Sequence, residues 1–252
     1  MVDNLPPQRL TPDSEVAIAV TDGAPPSVLW LGGFRSDMEG GKATALAEWG
    51  AARGRRIVRF DYRGHGASGG AFEDFAISDW LADAQAVHGT LCEPGTVAVG
   101  SSMGGWIALL MAQRLLAAGT PLGGLVLIAP AADFTERLMW PQFDEAARAT
   151  IVREGKVMLP SEYGEPYPIT HRLIEDGRHH LLYGDTPIKT GCPVHILQGV
   201  LDEAVPHTHV LELVDRLAQD DVVLTLIKDG DHRLSRPADI ARILAAVEGI
   251  AD

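Results

Sequence analysis

A serine that could act as a nucleophile lies in the short motif Gly100-Ser101-Ser102-Met103-Gly104. An apolar run predicted to be a strand ends just before it at Val99, and a helix that is apolar nearly all round is predicted just after it. A Gly-x-Ser-x-Gly motif between a strand and a helix forms a tight turn that projects the central serine hydroxyl above the sheet. The sequence therefore predicts Ser102 as the nucleophile. Ser101 is the competing hydroxyl, one position away from the centre of the turn.

A serine hydroxyl is a poor nucleophile until a base accepts its proton, and His232 is the predicted base. It lies in Lys228-Asp229-Gly230-Asp231-His232, between the last predicted strand and the last predicted helix. Asp202 follows the preceding strand, and its carboxylate is predicted to hold the imidazole in one tautomer. Glu203 is the alternative carboxylate. The chain order Ser102, Asp202, His232 predicts a catalytic triad at the carboxyl edge of a parallel sheet.

Acyl transfer also needs hydrogen-bond donors for a developing oxyanion. The backbone N–H of Met103, directly after the nucleophile, is one predicted donor. The second is predicted in the loop Leu31-Gly32-Gly33-Phe34-Arg35, where two glycines let the backbone approach the site. We assign the backbone N–H of Phe34, with that of Arg35 as an alternative. An ordinary glycine turn is the other interpretation of this loop.

Several histidine-containing segments are interpreted as structural. The loop containing Asp61 to Ser68, with His65, follows a strand but lacks the G-K-[ST] sequence of a phosphate-binding loop. The pairs His179-His180 and His207-Thr208-His209 have no cysteine or carboxylate cluster at metal-ligand spacing nearby. The sequence therefore predicts neither a metal site nor a cofactor.

Composition limits the class of protein. The chain has 252 residues, 46% of them hydrophobic and 22% charged, which suffices for a sizeable core. Its formal net charge of −13 disfavours binding to nucleic acid or to an anionic membrane surface. Cys92 and Cys192 give no disulfide framework. Since no secretory signal and no apolar stretch of roughly 18 residues is visible, we expect no membrane insertion and a cytoplasmic location.

Apolar runs alternate with segments of helical period along most of the chain. Strands are predicted at residues 16–20, 27–31, 57–60, 96–99, 125–128, 194–197 and 222–227. Helices are predicted at residues 42–52, from Ser78, at 104–118, at 207–217 and from Ser235. Strands that alternate with helices indicate parallel pairing, with helices on both faces of the sheet. The predicted fold class is therefore α/β.

The segment from residue 133 to 191 breaks this alternation. It is long, of mixed polarity, and contains scattered aromatic residues. An insertion of this length between two sheet strands is expected to form a cap. Its side chains Trp140, Phe143, Met158 and Tyr163 are candidates for an acyl-binding pocket. They fit the small core of the cap equally well, and the sequence leaves both interpretations open.

Together these motifs resemble the α/β-hydrolase superfamily. The resemblance spans nearly the whole chain and is concentrated in residues 31–34, 60–66, 100–106, 199–206 and 230–233. Within the superfamily, Leu159-Pro160-Ser161-Glu162-Tyr163 and Arg178-His179-His180-Leu181-Leu182 resemble the cap of the branch that contains the mitochondrial palmitoyl-protein thioesterase, which also cleaves acyl glucuronides. The resemblance implies a mostly parallel eight-stranded sheet with helices on both faces and a small cap. It also implies one domain over residues 1–252.

For function, the resemblance implies a carboxylesterase or long-chain acyl thioesterase with the triad on Ser102, Asp202 and His232. The expected partner is a small-molecule ester or acyl thioester, and the oligomeric state stays open. Carbon–carbon bond hydrolysis or perhydrolysis on the same triad is the alternative reaction. A non-catalytic ligand-binding protein is the alternative from another class, although such proteins usually lose a member of the triad and this chain keeps all its candidates.

Overall fold

The computed structural model of the chain describes residues 8–161, 164–217 and 221–251. The strands are β1 (Gln8–Arg9), β2 (Ala17–Thr21), β3 (Ala24–Leu31), β4 (Arg55–Asp61), β5 (Val97–Ser101), β6 (Gly124–Ile128), β7 (Lys156–Ser161), β8 (Gly164–Thr170), β9 (Val194–Gly199) and β10 (Val222–Ile227). The α-helices are α1 (Gly41–Arg53), α2 (Ile77–Leu91), α3 (Met103–Ala117), α4 (Glu145–Glu154), α5 (His171–Arg178), α6 (His207–Arg216) and α7 (Pro237–Ala251).

The main sheet has eight strands in the order β1-β2-β4-β3-β5-β6-β9-β10. The pairs β1–β2 and β2–β4 are antiparallel, and every other pair in the sheet is parallel. All residues of the central strands β5 and β6 are buried. This burial explains the apolar run of β6 and of the first part of β5, residues 97–99, because a strand covered by helices on both faces has no solvent side to make polar.

Helices cover both faces of this sheet. On one face α1 and α7 enclose a core that includes Trp30, Leu46 and Val247. On the other face α2, α3 and α6 contribute to a larger core that includes Trp80 and Trp106. No helix in the described parts of the chain is long and apolar enough to cross a bilayer.

The predicted fold class is confirmed. Each predicted strand overlaps an observed one, and the helix predicted at 104–118 is α3, which begins one residue earlier. The short strand β1 is not predicted by the sequence. Its two residues are exposed and contain no apolar side chain, so they carry no strand pattern.

The insert, residues 133–191, lies between β6 and β9 and contains a π-helical turn at Thr135–Met139, helix α4, the antiparallel hairpin β7–β8 and helix α5. The buried Asp133 joins its two ends: its carboxylate accepts the backbone N–H of Leu182 at 2.8 Å and that of Tyr183 at 2.9 Å. The sequence prediction did not identify the hairpin, because β8 contains two prolines and its partner one.

Candidate active site

Ser102 occupies a sharp turn between β5 and α3. Its backbone has φ 54° and ψ −117°, a conformation that is uncommon for residues other than glycine. The flanking glycines are required by close backbone contacts. A Cβ on Gly100 would lie 2.4 Å from the carbonyl oxygen of Gly104, and one on Gly104 would lie 2.1 Å from that of Leu31. The turn therefore holds the Ser102 side chain in place at the carboxyl end of the central strand.

His232 and Asp202 converge on Ser102 from the two neighbouring loops. His232 Nε2 lies 3.1 Å from Ser102 Oγ, and His232 Nδ1 lies 2.8 Å from Asp202 Oδ2. The loops that carry them touch, because the Leu201 N–H donates to the carbonyl of Gly230 at 2.9 Å. With its proton on Nδ1, the imidazole donates to Asp202 and accepts the Ser102 hydroxyl proton at Nε2.

The Asp202 carboxylate is held by several donors. Its side chain has no exposed surface. Oδ1 accepts the backbone N–H groups of Ala204 at 3.0 Å and Val205 at 2.8 Å, while Oδ2 accepts the Gln198 side-chain amide at 3.1 Å as well as the imidazole. The alternative carboxylate, Glu203, is exposed and lies at the edge of the adjacent cavity rather than against the imidazole.

The two assigned oxyanion donors, Phe34 and Met103, line the same cavity as Ser102. Met103 begins α3, so its N–H belongs to the first helical turn and has no partner within the helix. Phe34 follows Gly33, where a Cβ would lie 3.5 Å from Ser102 Cβ. Within the described residues, no hydrogen bond uses the backbone N–H of Phe34 or Met103. Both groups are therefore available to an oxygen bound beside Ser102.

A cavity of about 490 Å³ opens beside Ser102 and His232; most of its lining residues are apolar, and Gln142 and Glu203 are among its polar ones. Phe34 and Met103 lie at its base. Its walls include Phe134, Leu138, Met139, Leu159, Tyr167 and Val205. Most of these residues come from the insert, so the insert forms much of the wall around Ser102.

The predicted pocket residues occupy other places. Phe143 is buried in the larger core, and Met158 is 51% exposed on the outer side of β7. The ring of Trp140 packs against the guanidinium groups of Arg148 and Arg178, each 5.3 Å from a ring centroid. The fourth candidate, Tyr163, lies outside the described residues. The lining residues Met139 and Leu159 are sequence neighbours of Trp140 and Met158.

A second cavity of about 340 Å³ meets the first one at Ser102, His232 and Phe34. Its wall includes the polar side chains of Ser36, Asp37, Lys42 and Arg233. Burial lowers the pKa of Lys42, while nearby Asp231 opposes this shift. The Lys42 ammonium donates to the carbonyl of Arg233, so it also anchors the loop that carries His232.

The loop that contains His65 lies beside the loop that contains Arg35, and both line one depression. The buried carboxylate of Asp61 accepts the N–H groups of Met38 at 2.7 Å and Ala67 at 2.8 Å, and burial raises its pKa. His65 packs against the rings of Tyr62, Phe72 and Trp80, and burial lowers its pKa to about 4.

No cluster of histidine, cysteine or carboxylate side chains that could hold a metal is present in the described part of the chain.

Comparison with known proteins identifies the family of this chain. Residues 28–243 match the alpha/beta hydrolase family, and the chain belongs to that family. The mitochondrial palmitoyl-protein thioesterase ABHD10 of mouse is 32% identical over 91% of this chain and 76% of its own length. Its human counterpart is 31% identical over 91% of this chain and 74% of its own length.

Solved structures give the same result. A putative hydrolase from Agrobacterium vitis is 48% identical, with a TM-score of 0.90 over 94% of this chain and 93% of that one. The structure of mouse alpha/beta hydrolase domain-containing protein 10 is 31% identical, with a TM-score of 0.82 over 93% of both chains. These relatives support hydrolysis of an ester or thioester. They also correct one prediction: the expected cytoplasmic location is contradicted, because the mouse and human relatives are mitochondrial.

Proposed function

We propose that the chain hydrolyses carboxylic esters or acyl thioesters through an acyl-enzyme on Ser102. The observation that carries this proposal is the hydrogen-bonded path from Ser102 Oγ to His232 Nε2, at 3.1 Å, and from His232 Nδ1 to Asp202, at 2.8 Å. The path ends at the base of an apolar cavity. This arrangement suits a nucleophile whose proton must leave as it attacks a carbonyl carbon.

In the acylation step, Ser102 Oγ bonds to the carbonyl carbon while its proton moves to His232 Nε2. The carbonyl oxygen becomes an oxyanion and accepts the N–H groups of Phe34 and Met103. The tetrahedral adduct then collapses, and the leaving oxygen or sulfur takes the proton from His232. The products of this step are the free alcohol or thiol and the acyl ester of Ser102.

Deacylation repeats the same steps with water. His232 Nε2 accepts a proton from a water molecule as its oxygen attacks the acyl carbon. The Ser102–acyl bond breaks, Ser102 recovers its proton from His232, and the carboxylic acid leaves. In both steps Asp202 stabilises the imidazolium and keeps its ring in place.

The apolar cavity is the proposed site for the acyl chain. Its walls bear Leu138, Met139 and Leu159, which offer no hydrogen-bonding side chain to a polar substituent. The mouse relative is a palmitoyl-protein thioesterase, which supports a long-chain acyl thioester as the substrate of this protein. We assign residues 1–252 to one domain in which the insert, residues 133–191, acts as the cap over this cavity.

The test is a matched series of oxygen esters and thioesters, from butanoyl to palmitoyl, assayed with the unchanged protein and with Ser102→Ala. The proposal predicts turnover that increases with chain length and that disappears in the variant. Ser101→Ala is the matched control and should retain most of the activity, because its hydroxyl lies one position outside the turn centre. Failure to hydrolyse any member of the series, or undiminished turnover by Ser102→Ala, would overturn the proposal.

A further inference from the structure

The insert touches the loop of the proposed oxyanion donor through several side chains: the rings of Phe134 and Tyr167 pack against Phe34, and Tyr167 also contacts Arg35. The guanidinium carbon of Arg35 lies 4.0 Å from the ring centroid of Tyr167, within the range of a cation–π contact. Arg35 directly follows Phe34, and Tyr167 belongs to β8 of the insert. The contact therefore joins two segments that are more than a hundred positions apart in the sequence.

Arg35 has a backbone conformation that its residue type disfavours. Its φ is 57°, in the left-handed region where a Cβ is crowded. It lies in a turn closed by the Ser36 N–H, which donates to the carbonyl of Gly33 at 3.1 Å, and the Ser36 hydroxyl donates to the same carbonyl at 2.8 Å. Such a conformation persists only when surrounding contacts hold it. The Tyr167 ring supplies a contact for the Arg35 side chain from outside the loop.

Tyr167 also lines the apolar cavity. Its ring lies 6.4 Å from that of Phe34 in an edge-to-face arrangement, and both rings line the apolar cavity. Arg35 does not line that cavity. It lies at a separate depression of about 240 Å³ with Asp37 and His65. An acyl chain in the cavity would therefore touch the Tyr167 ring, which is the lining side chain that contacts the Arg35 guanidinium.

We propose that Tyr167 is a positioning residue: through Arg35, it sets the loop that presents the Phe34 N–H, and it couples filling of the acyl cavity to formation of the oxyanion hole. This inference rests on the proposed function, since it assumes that Phe34 donates to the oxyanion. An acyl chain long enough to press on the Tyr167 ring fixes the ring against Arg35. The consequence is a kcat that increases with acyl length, rather than a change confined to KM.

The test compares kcat and KM for butanoyl and dodecanoyl esters in Arg35→Met, Tyr167→Leu, the double variant and the conservative Tyr167→Phe. Removing an oxyanion donor outright costs roughly 100- to 1000-fold in kcat, so loosening its loop should cost about tenfold. We expect Arg35→Met to lower kcat for the dodecanoyl ester about tenfold with KM unchanged, because Arg35 lies outside the acyl cavity. The double variant should have the same kcat as Tyr167→Leu, because both single substitutions break the same contact between Arg35 and Tyr167. Tyr167→Phe should keep the parent kcat.

Two outcomes would overturn the inference. One is a kcat for Arg35→Met equal to that of the parent, and the other is a double variant whose loss is the product of the two single losses. Thermal unfolding of each variant identifies any that fails to fold, and Arg35→Lys, which keeps the cation, is the second variant for that case. Ser102→Ala assayed alongside separates this inference from the proposed function. An inactive Ser102→Ala with a fully active Arg35→Met would reject the coupling and leave the acyl-enzyme proposal intact.

Discussion

His232 Nδ1 lies 2.8 Å from Oδ2 of Asp202, and the Asp202 side chain has no surface exposed to solvent. Both carboxylate oxygens are also held from the protein side, by the backbone N–H groups of Ala204 and Val205 and by the amide of Gln198. The carboxylate therefore cannot rotate freely, and it fixes the orientation of the imidazole. About 32% of the His232 side chain is exposed, so the ring itself can meet a substrate.

Replacing Asp202 with Asn is expected to lower kcat by about 10⁴-fold with little change in KM. An amide keeps the shape of the carboxylate, but its NH₂ group favours the imidazole tautomer with the proton on Nε2, which cannot accept from Ser102. Steady-state ester hydrolysis measures the effect. Glu203→Gln is the matched control, because Glu203 is exposed at the edge of the cavity and makes no contact with the imidazole. If Glu203→Gln caused the larger loss, the carboxylate assignment would be wrong.

The close packing of the turn at Ser102 leads to a prediction about the free energy of unfolding. A methyl group on Gly104 would lie 2.1 Å from the carbonyl oxygen of Leu31, so Gly104→Ala must displace β3 or α3. We expect a loss of about 3 kcal/mol in the free energy of unfolding. In Gly89→Ala, on the exposed side of α2, a methyl group would meet nothing within 4 Å. This control should gain about 0.5–1 kcal/mol, because alanine favours a helix over glycine. Urea unfolding of both variants tests the contrast, and equal stabilities would contradict it.

The different positions of Leu159 and Met158 on β7 lead to a prediction about the preference for acyl-chain length. Leu159 lines the apolar cavity, while Met158 is 51% exposed on the other side of the strand. Leu159→Trp fills part of the cavity and should reduce kcat/KM for dodecanoyl esters by about tenfold to a hundredfold relative to butanoyl esters. Met158→Trp should leave the ratio unchanged. A shift in the ratio caused by Met158→Trp instead would show that the acyl chain binds elsewhere.

Burial of His65 predicts a dependence of stability on pH. Its pKa is lowered from the ordinary 6.5 to about 4, so between these values the unfolded chain binds a proton that the folded chain does not. Above pH 6.5 His65 is neutral in both states and does not reduce the free energy of unfolding. As the pH falls from 6.5 toward 4, protonation of His65 in the unfolded chain lowers that free energy. Between pH 7 and pH 5 the loss amounts to about 2 kcal/mol.

The variant His65→Asn keeps a side-chain amide donor for the carbonyl of Arg63, which lies 3.3 Å from His65 Nδ1, and removes the titrating ring. Urea unfolding at pH 7 and pH 5 should show a fall in stability that is smaller in the variant by about this amount. The pKa values of His88, His195 and His209 are also lowered by burial, and their contribution cancels in the comparison. An unchanged pH dependence in the variant would contradict the assigned cause.

The sequence predicts the parts of the fold that have a local pattern. The apolar run of β6 and the Gly-x-Ser-x-Gly turn give the same result in sequence and structure, because burial on both faces and the steric limits of the turn leave few alternatives. Asp202 and His232 were proposed from their place after strands β9 and β10, since carboxyl ends of parallel strands share an edge. Their distances, by contrast, depend on how the two loops pack together.

The cavity wall could not be predicted in the same way. Whether Met158 or Leu159 faces inward depends on the register of the β7–β8 hairpin, and a shift by one residue would exchange them. The sequence leaves Trp140 open between an acyl pocket and the core of the cap, and in the structure Arg148 and Arg178 pack against its ring. The contact between Arg35 and Tyr167 has no sequence signal, because it joins a loop beside β3 to the insert and depends on tertiary packing alone.

The most direct test of the proposed mechanism is to locate the activated serine by covalent labelling. The protein is reacted with a fluorophosphonate, which modifies activated serines, and the adduct is located by intact mass and peptide mapping. We expect one equivalent of label on Ser102, no labelling in Ser102→Ala, and much slower labelling in His232→Ala, because that variant lacks the proposed base. Label on another residue, or labelling of Ser102→Ala at the parent rate, would contradict the account.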